Sequence, residues 1–165
     1  NRKGRQGKPG RDEAWFLEEV VRRDSSYKIF HQADFSKQLQ KLQSRHQVEL
    51  MDLARKRQEL FIVKRGSPQT QAYAIDQAIA TINFLKEKRF RFNYGGVPYH
   101  PKKVFVWMIL DRANPIQELS EINSTIFKMK LVEFKRIAQD AGLVPIIRVS
   151  YEIKEKHKGN FSSYF

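Results

Sequence analysis

Cysteine is absent from the 165 residues of the chain. Disulfide bonds and thiolate metal sites are therefore excluded, and the four histidines are too far apart in sequence to resemble zinc ligands. We predict no metal site. A chain without cysteine is also typical of a reducing compartment, so we expect an intracellular protein.

Long apolar runs and acidic residues are also scarce. No stretch approaches the roughly eighteen apolar residues that a membrane-spanning helix needs, so we expect a soluble protein without a membrane span. Only 18 Asp and Glu oppose 31 Lys and Arg, which leaves a net charge of +13. Each cation that meets a phosphate releases a condensed counterion, so this excess favours nucleic acid as a partner. An anionic membrane surface and a merely solubilising surface are the competing interpretations.

Complete catalytic motifs are missing as well. The segment GKPG at 7–10 lacks the GxxxxGKS/T spacing of a phosphate-binding loop, and LDRANP at 110–115 lacks the glycines of a dinucleotide-binding turn. No GxSxG nucleophile motif occurs. The sequence therefore predicts no particular reaction and no cofactor.

The apolar content is sufficient for one folded domain, since hydrophobic residues make up 41% of the chain and aromatic residues 12%. We predict a flexible basic arm at 1–11, a single globular domain at 12–154 and a basic polar tail at 155–165. The expected fold is α/β or α+β. In it a helical amino-terminal half packs on a small mixed sheet of three or four strands.

Apolar residues at steps of three and four predict four helices, at about 12–23, 34–60, 67–87 and 115–141. The longest of them would be an amphipathic helix of about seven turns, which could pack on its own chain or pair with a second helix. Ser67 is suited to cap the third helix. The expected buried stripe of the last helix consists of Leu119, Ile122, Ile126, Met129, Ile137 and Ala141.

Three strands are predicted, at about 89–94, 104–110 and 146–153. The segment VFVWMIL at 104–110 is apolar at every position, as expected of a strand that is covered on both faces. This strand, the helix after it and the strand at 146–153 make one βαβ crossover, which pairs its two strands in parallel. Around Gly95 and Gly96 the pattern indicates a hairpin or an extended loop.

The strongest candidate for a binding surface is the segment 86–103, in which cations alternate with aromatic residues. This combination suits single strands, because unpaired bases stack on rings while cations meet phosphates. The same alternation describes an ordinary strand whose rings enter the core, and both interpretations stay open. Together with the arm and the tail, the predicted nucleic-acid-binding residues are Arg2, Lys3, Arg5, Lys8, Arg11, Lys86, Lys88, Arg89, Arg91, Phe92, Tyr94, Tyr99, Lys102, Lys103, Lys154, Lys156 and Lys158.

Asp111 is the best catalytic candidate, because it follows the apolar strand at the edge where open α/β sheets bind their ligands. Divalent-metal phosphodiester chemistry needs further carboxylates, and the nearby ones are Glu118, Glu121 and Glu152. With such partners the site would hold Mg²⁺. The competing interpretation is structural, in which Asp111 shapes a turn while Glu118 and Glu121 favour the helix dipole.

Three functions are consistent with these observations. The first is a non-catalytic nucleic-acid-binding component of a larger nucleoprotein assembly, which grips mainly phosphates and adds base stacking. The second is a metal-dependent nuclease or recombination enzyme built on Asp111. The third is a protein-interaction adaptor that uses the helix at 34–60 to bind a partner protein or a second copy of itself. The charge favours the first.

Overall fold

A mixed sheet of five strands organises the fold. The computed structural model describes residues 13–30, 50–87, 93–94, 96–110 and 114–151. The strands are β1 (Tyr27–Ile29), β2 (Leu53–Arg55), β3 (Glu59–Gly66), β4 (Asn93–Tyr94), β5 (Val97–Pro98), β6 (Lys103–Leu110) and β7 (Val144–Tyr151). The helices are α1 (Glu13–Arg23), α2 (Pro68–Lys86) and α3 (Thr125–Asp140), with a short 3-10 helix at Leu119–Glu121.

The strand order in the sheet is β1-β2-β3-β6-β7, and β4 and β5 form a separate two-stranded antiparallel ribbon. The first three strands pair antiparallel, whereas β3, β6 and β7 are parallel. Helix α2 connects β3 to β6, and α3 connects β6 to β7. The predicted βαβ crossover is therefore confirmed, together with α1 and α2. The side chain of Ser67 caps α2 by accepting from the backbone N–H of Thr70.

The predicted helix at 34–60 is wrong over its last third, because residues 53–55 and 59–66 form strands. Leu53 is buried on the side of the sheet that α1 covers, whereas Leu60 is buried on the opposite side. A single helical stripe could not bury both residues in this way, but two strands joined by a turn can. Residues 34–49 lie outside the described part of the chain, so the rest of that prediction is untested.

This hairpin changes the architecture from the one expected. The amino-terminal half contributes three strands to the sheet, so a purely helical half is wrong and five strands replace the expected three or four. Asp52 fastens the added strands together. Its backbone N–H donates to the carbonyl of Phe61 over 3.0 Å, and its carboxylate accepts from the backbone N–H of Val63 over 2.7 Å.

The two faces of the sheet support two hydrophobic clusters. On one face, β3 and β6 pack against α2 and α3, with Val104, Val106 and Met108 of β6 at 0% exposure. On the other face, Trp107 and Phe61 pack against α1 through Val20 and Phe16. The prediction that β6 is covered on both faces is therefore confirmed, except at Phe105, which is half-buried.

Helix α3 begins ten residues later than predicted, and the expected buried stripe is only partly right. Ile122 is 3% exposed, and Leu119, Ile137 and Ala141 are partly buried against the core. Ser124 is its N-cap and accepts from the backbone N–H of Phe127 over 3.3 Å. The buried residues of α3 are Phe127, Phe134 and Ala138, whereas Ile126 and Met129 of the expected stripe are 65% and 67% exposed. The apolar residues of this segment fit two helical faces, and the larger rings occupy the core.

The residues on either side of the segment 31–49 lie close together in the fold. The backbone N–H of Phe30 donates to the carbonyl of Asp52 over 3.0 Å, where β1 and β2 pair. The buried hydroxyl of Thr81 in α2 donates to the carbonyl of Leu50. Both flanks of the segment are therefore held by the core.

The assignment of the buried face of α3 predicts a contrast between two truncations. Phe134→Ala removes a ring that is 1% exposed and should lower the free energy of unfolding by about 3–5 kcal/mol. Met129→Ala removes a side chain that is 67% exposed and should change it by no more than about 0.5 kcal/mol. Chemical denaturation of both variants checks this, and comparable losses would contradict the assignment.

Candidate nucleic-acid interface

Cationic side chains gather where the parallel strands begin. Strands β3, β6 and β7 start at one edge of the sheet because they run in the same direction. The turn between β2 and β3 and the residues that lead into β6 lie at this edge. We call the cationic residues found there, Arg55, Lys56, Arg57, Lys102 and Lys103, the basic edge.

The turn between β2 and β3 places two cations in an unusual backbone conformation. The backbone N–H of Gln58 donates to the carbonyl of Arg55 over 3.2 Å, and φ is 51° at Lys56 and 57° at Arg57. Two central residues with positive φ define a type I′ turn, which normally contains Asn and Gly. Side chains other than Gly in this region cost about 1–2 kcal/mol per residue. The turn is therefore strained, and both of its central side chains are exposed.

The carbonyl of Gln58 links this turn to the start of β6. It accepts hydrogen bonds from the backbone N–H groups of Lys102 over 2.7 Å and Lys103 over 3.0 Å. The carbonyl of Lys102 in turn accepts from the backbone N–H of Val144 over 2.9 Å, which extends the link to β7. Because these bonds join backbone atoms, the side chains of Lys102 and Lys103 stay exposed to solvent.

Two carboxylates lie among the cations. Glu59 is within 3.7 Å of the Arg55 guanidinium and 3.6 Å of the Lys103 ammonium. Asp24 is 3.6 Å from Arg55, and its pKa is lowered by hydrogen bonding to Ser26, with a smaller contribution from Arg55. The guanidinium of Arg55 is also 4.9 Å from the ring centroid of Tyr27. Arg55 is thus held in place, while Lys56, Arg57 and Lys102 are exposed.

Five of the predicted binding residues fall in the described part of the chain, and they have different surroundings. Lys102 and Lys103 belong to the basic edge. Lys86 is exposed at the end of α2, which returns to the edge where β6 begins. Tyr94 is half-buried, with the Lys28 ammonium 5.4 Å from its ring centroid.

Tyr99 requires a correction, because it belongs to the core. It is 3% exposed, its hydroxyl donates to the carbonyl of Glu59, and its ring stacks on Tyr94 with centroids 5.9 Å apart. Burial raises the pKa of the Tyr99 hydroxyl. Its ring therefore offers no surface to a base. The other predicted binding residues lie outside the described residues, and they are Arg2, Lys3, Arg5, Lys8, Arg11, Lys88, Arg89, Arg91, Phe92, Lys154, Lys156 and Lys158.

Glu118 and Glu121, two carboxylates of the predicted catalytic site, make hydrogen bonds to neighbouring residues. Glu121 Oε1 accepts from the backbone N–H groups of Gln117 over 2.5 Å and Glu118 over 2.8 Å, and Glu118 Oε2 accepts from the Ser120 hydroxyl over 3.0 Å. These bonds close the 3-10 helix. Asp111 and Glu152 lie outside the described residues. Within the residues that the structure describes, no three metal-ligating side chains converge.

Arg55, Lys56 and Arg57 were not among the predicted binding residues, because they fall within the helix predicted at 34–60. The signal that could have identified them is the run FIV at 61–63, whose β-branched and aromatic residues favour a strand directly after the RKR triplet.

The described residues carry only part of the charge excess. They contain 16 of the 31 Lys and Arg and 12 of the 18 Asp and Glu, a net of +4 out of +13. Several of these cations are paired away from the basic edge. For example, Arg22 and Arg23 both hydrogen-bond Glu19 and lower its pKa to about 2. The basic edge therefore stands out against a nearly balanced folded surface.

Comparison with known proteins identifies no relative of this chain. No family model, no curated protein and no solved structure matches the chain. Among the described residues, no helix is long and apolar enough to cross a membrane. The case for the interface therefore depends on its own geometry and charge.

The strained turn predicts an opposite response at two adjacent positions. Arg57→Gly should raise the free energy of unfolding by about 1 kcal/mol, because Gly adopts positive φ without a steric penalty. Gln58→Gly, at a residue whose φ is not positive, should lower it by about 0.5–1 kcal/mol through lost backbone entropy. Urea denaturation measures both values. A stability loss in Arg57→Gly would contradict the type I′ assignment.

Proposed function

We propose that this chain is a non-catalytic nucleic-acid-binding component of a larger nucleoprotein assembly and that it binds mainly phosphates. The observation that carries the proposal is the pair of hydrogen bonds that the Gln58 carbonyl accepts from the backbone N–H groups of Lys102 and Lys103. These bonds hold two pairs of exposed cations side by side, Lys56 with Arg57 and Lys102 with Lys103. A surface of this kind can meet several phosphates of one backbone at once. Each contact releases counterions, which is the main source of affinity for a sequence-independent binder.

The backbone conformation supports the same proposal. Residues in sparsely populated regions of φ and ψ persist only where the surrounding structure enforces them, and they cluster at functional sites. At Lys56 and Arg57 the strain exposes two cations where Asn and Gly would serve the turn better. A requirement for positive charge at this position accounts for the choice of residues.

Paired substitutions with equal loss of charge test the basic edge. Lys56→Gln with Arg57→Gln should weaken binding to a generic oligonucleotide about tenfold, and the magnitude of the slope of log affinity against log salt should fall by about 2. The matched control is Lys128→Gln with Lys135→Gln, which removes two exposed cations of α3. We expect the control to change affinity by about twofold at most. Titrations by fluorescence anisotropy at several salt concentrations measure these effects.

Equal weakening by both double variants would show that net charge acts without a defined surface. Affinity that barely changes between low and moderate salt would exclude phosphate contacts as the main source of binding.

The non-catalytic part of the proposal has its own test. Labelled DNA and RNA incubated with the protein and Mg²⁺ or Mn²⁺ should remain intact. The local hydrogen bonds of Glu118 and Glu121 support this expectation, because they occupy carboxylate oxygens that a metal ion would need. Cleavage that disappears in Asp111→Ala would instead establish the metal-dependent nuclease.

A further inference from the structure

The face of the sheet that α1 covers has an open part near the basic edge. The register places Lys103 beside Val144 and Phe105 beside Ile146 on this face. Helix α1 packs against β1 and β3, and its Phe16 reaches Trp107 of β6 with ring centroids 5.1 Å apart. The cover is incomplete beside β7, where Val144 is 52% exposed while Phe105 and Ile146 are half-buried.

Neighbouring residues of β6 show that only one face of the sheet is exposed here. On the opposite face of β6, Val104 and Val106 are 0% exposed, although they flank Phe105 in sequence. Within the described residues, Ile146 belongs to neither hydrophobic cluster, whereas its neighbour Ile147 packs against the cluster under α2 and α3. The residues Phe105, Val144 and Ile146 thus form an apolar patch, which we call the sheet patch.

The groups around the sheet patch are cationic. Lys103 of the basic edge borders it on β6, with its side chain 46% exposed. Arg148 borders it on β7, where its guanidinium lies 4.0 Å from the ring centroid of Trp107 and donates to the Tyr27 hydroxyl over 3.1 Å. The ring of Phe105 stacks on Phe61 of the neighbouring strand β3, with centroids 4.3 Å apart.

We infer that the sheet patch binds the unpaired bases of a single-stranded nucleic acid whose phosphates lie along the basic edge. The inference rests on the proposed function and names its substrate class. Bases stack on aromatic rings and on arginine planes, and they are accessible for this only when they are not paired in a duplex. An apolar patch bordered by cations matches a ligand that is apolar on its bases and anionic on its backbone. An apolar or acidic protein segment would use only one of these two properties.

The test compares single-stranded and duplex oligonucleotides of the same sequence with three forms of the full chain. Phe105→Leu keeps an apolar side chain but removes the ring, so it should weaken single-strand binding about fivefold or more. Phe105→Tyr keeps the ring and should restore binding to within about twofold. Duplex affinity should change by less than about twofold in both variants, because phosphates on the basic edge account for it.

A second pair of variants keeps the test decisive if Phe105→Leu fails to fold. Val144→Ser alters the sheet patch at an exposed valine, and Val132→Ser alters an exposed valine on α3, where the side chain is 72% exposed. Only Val144→Ser should reduce the preference for single strands.

The outcomes separate this inference from the proposed function. Loss of binding in the Lys56 and Arg57 double variant, together with an unchanged preference in Phe105→Leu and Val144→Ser, overturns the sheet patch and leaves the basic edge standing. Absence of binding to either oligonucleotide by the unmodified chain overturns both. A selective loss of single-strand affinity that Phe105→Tyr repairs supports both.

Discussion

The burial of β6 on both faces is the constraint on which the rest of the fold depends. A strand that is apolar at every position from 104 to 110 must have a partner on each side and a layer on each face. Parallel partners require crossovers, and these bring the starts of β3, β6 and β7 to one edge of the sheet. That edge lies outside the hydrophobic clusters, so it can carry the cations that the core excludes. The position of the basic edge is thus a consequence of how the core is built.

The proposed interface combines a rigid backbone with mobile charged ends. Backbone hydrogen bonds of Gln58 fix where Lys102 and Lys103 leave the fold, while their long side chains keep the freedom to follow a flexible polymer. In the sheet patch the side chain itself is fixed, because the ring of Phe105 stacks on Phe61. A ligand with a flexible charged backbone and flat bases suits both halves of this arrangement.

The elements that were predicted correctly are those whose residues are compatible with only one kind of secondary structure. Strand β6 and helix α2 belong to this group, since VFVWMIL is apolar throughout and Ser67 with Pro68 marks a helix start. The hairpin of β2 and β3 could not be predicted, because Leu50, Leu53 and Leu60 fall at helical spacing and the turn contains neither Gly nor Asn. The same missing signal concealed three of the five residues of the basic edge. Of the site, Lys102 and Lys103 were predicted from charge, whereas the burial of Tyr99 depends on contacts with Phe30 and Glu59 that are distant in sequence.

The hydrogen bond between Phe30 and Asp52 has a consequence for how the domain can vary. Since Phe30 and Asp52 are joined at that point, the twenty-one residues at 31–51 amount to an insertion between two positions that already touch. The entropic cost of such an insertion grows only slowly, by about 0.6 kcal/mol for each doubling of its length. Changes in the length of this stretch should therefore alter the free energy of unfolding of the domain only slightly.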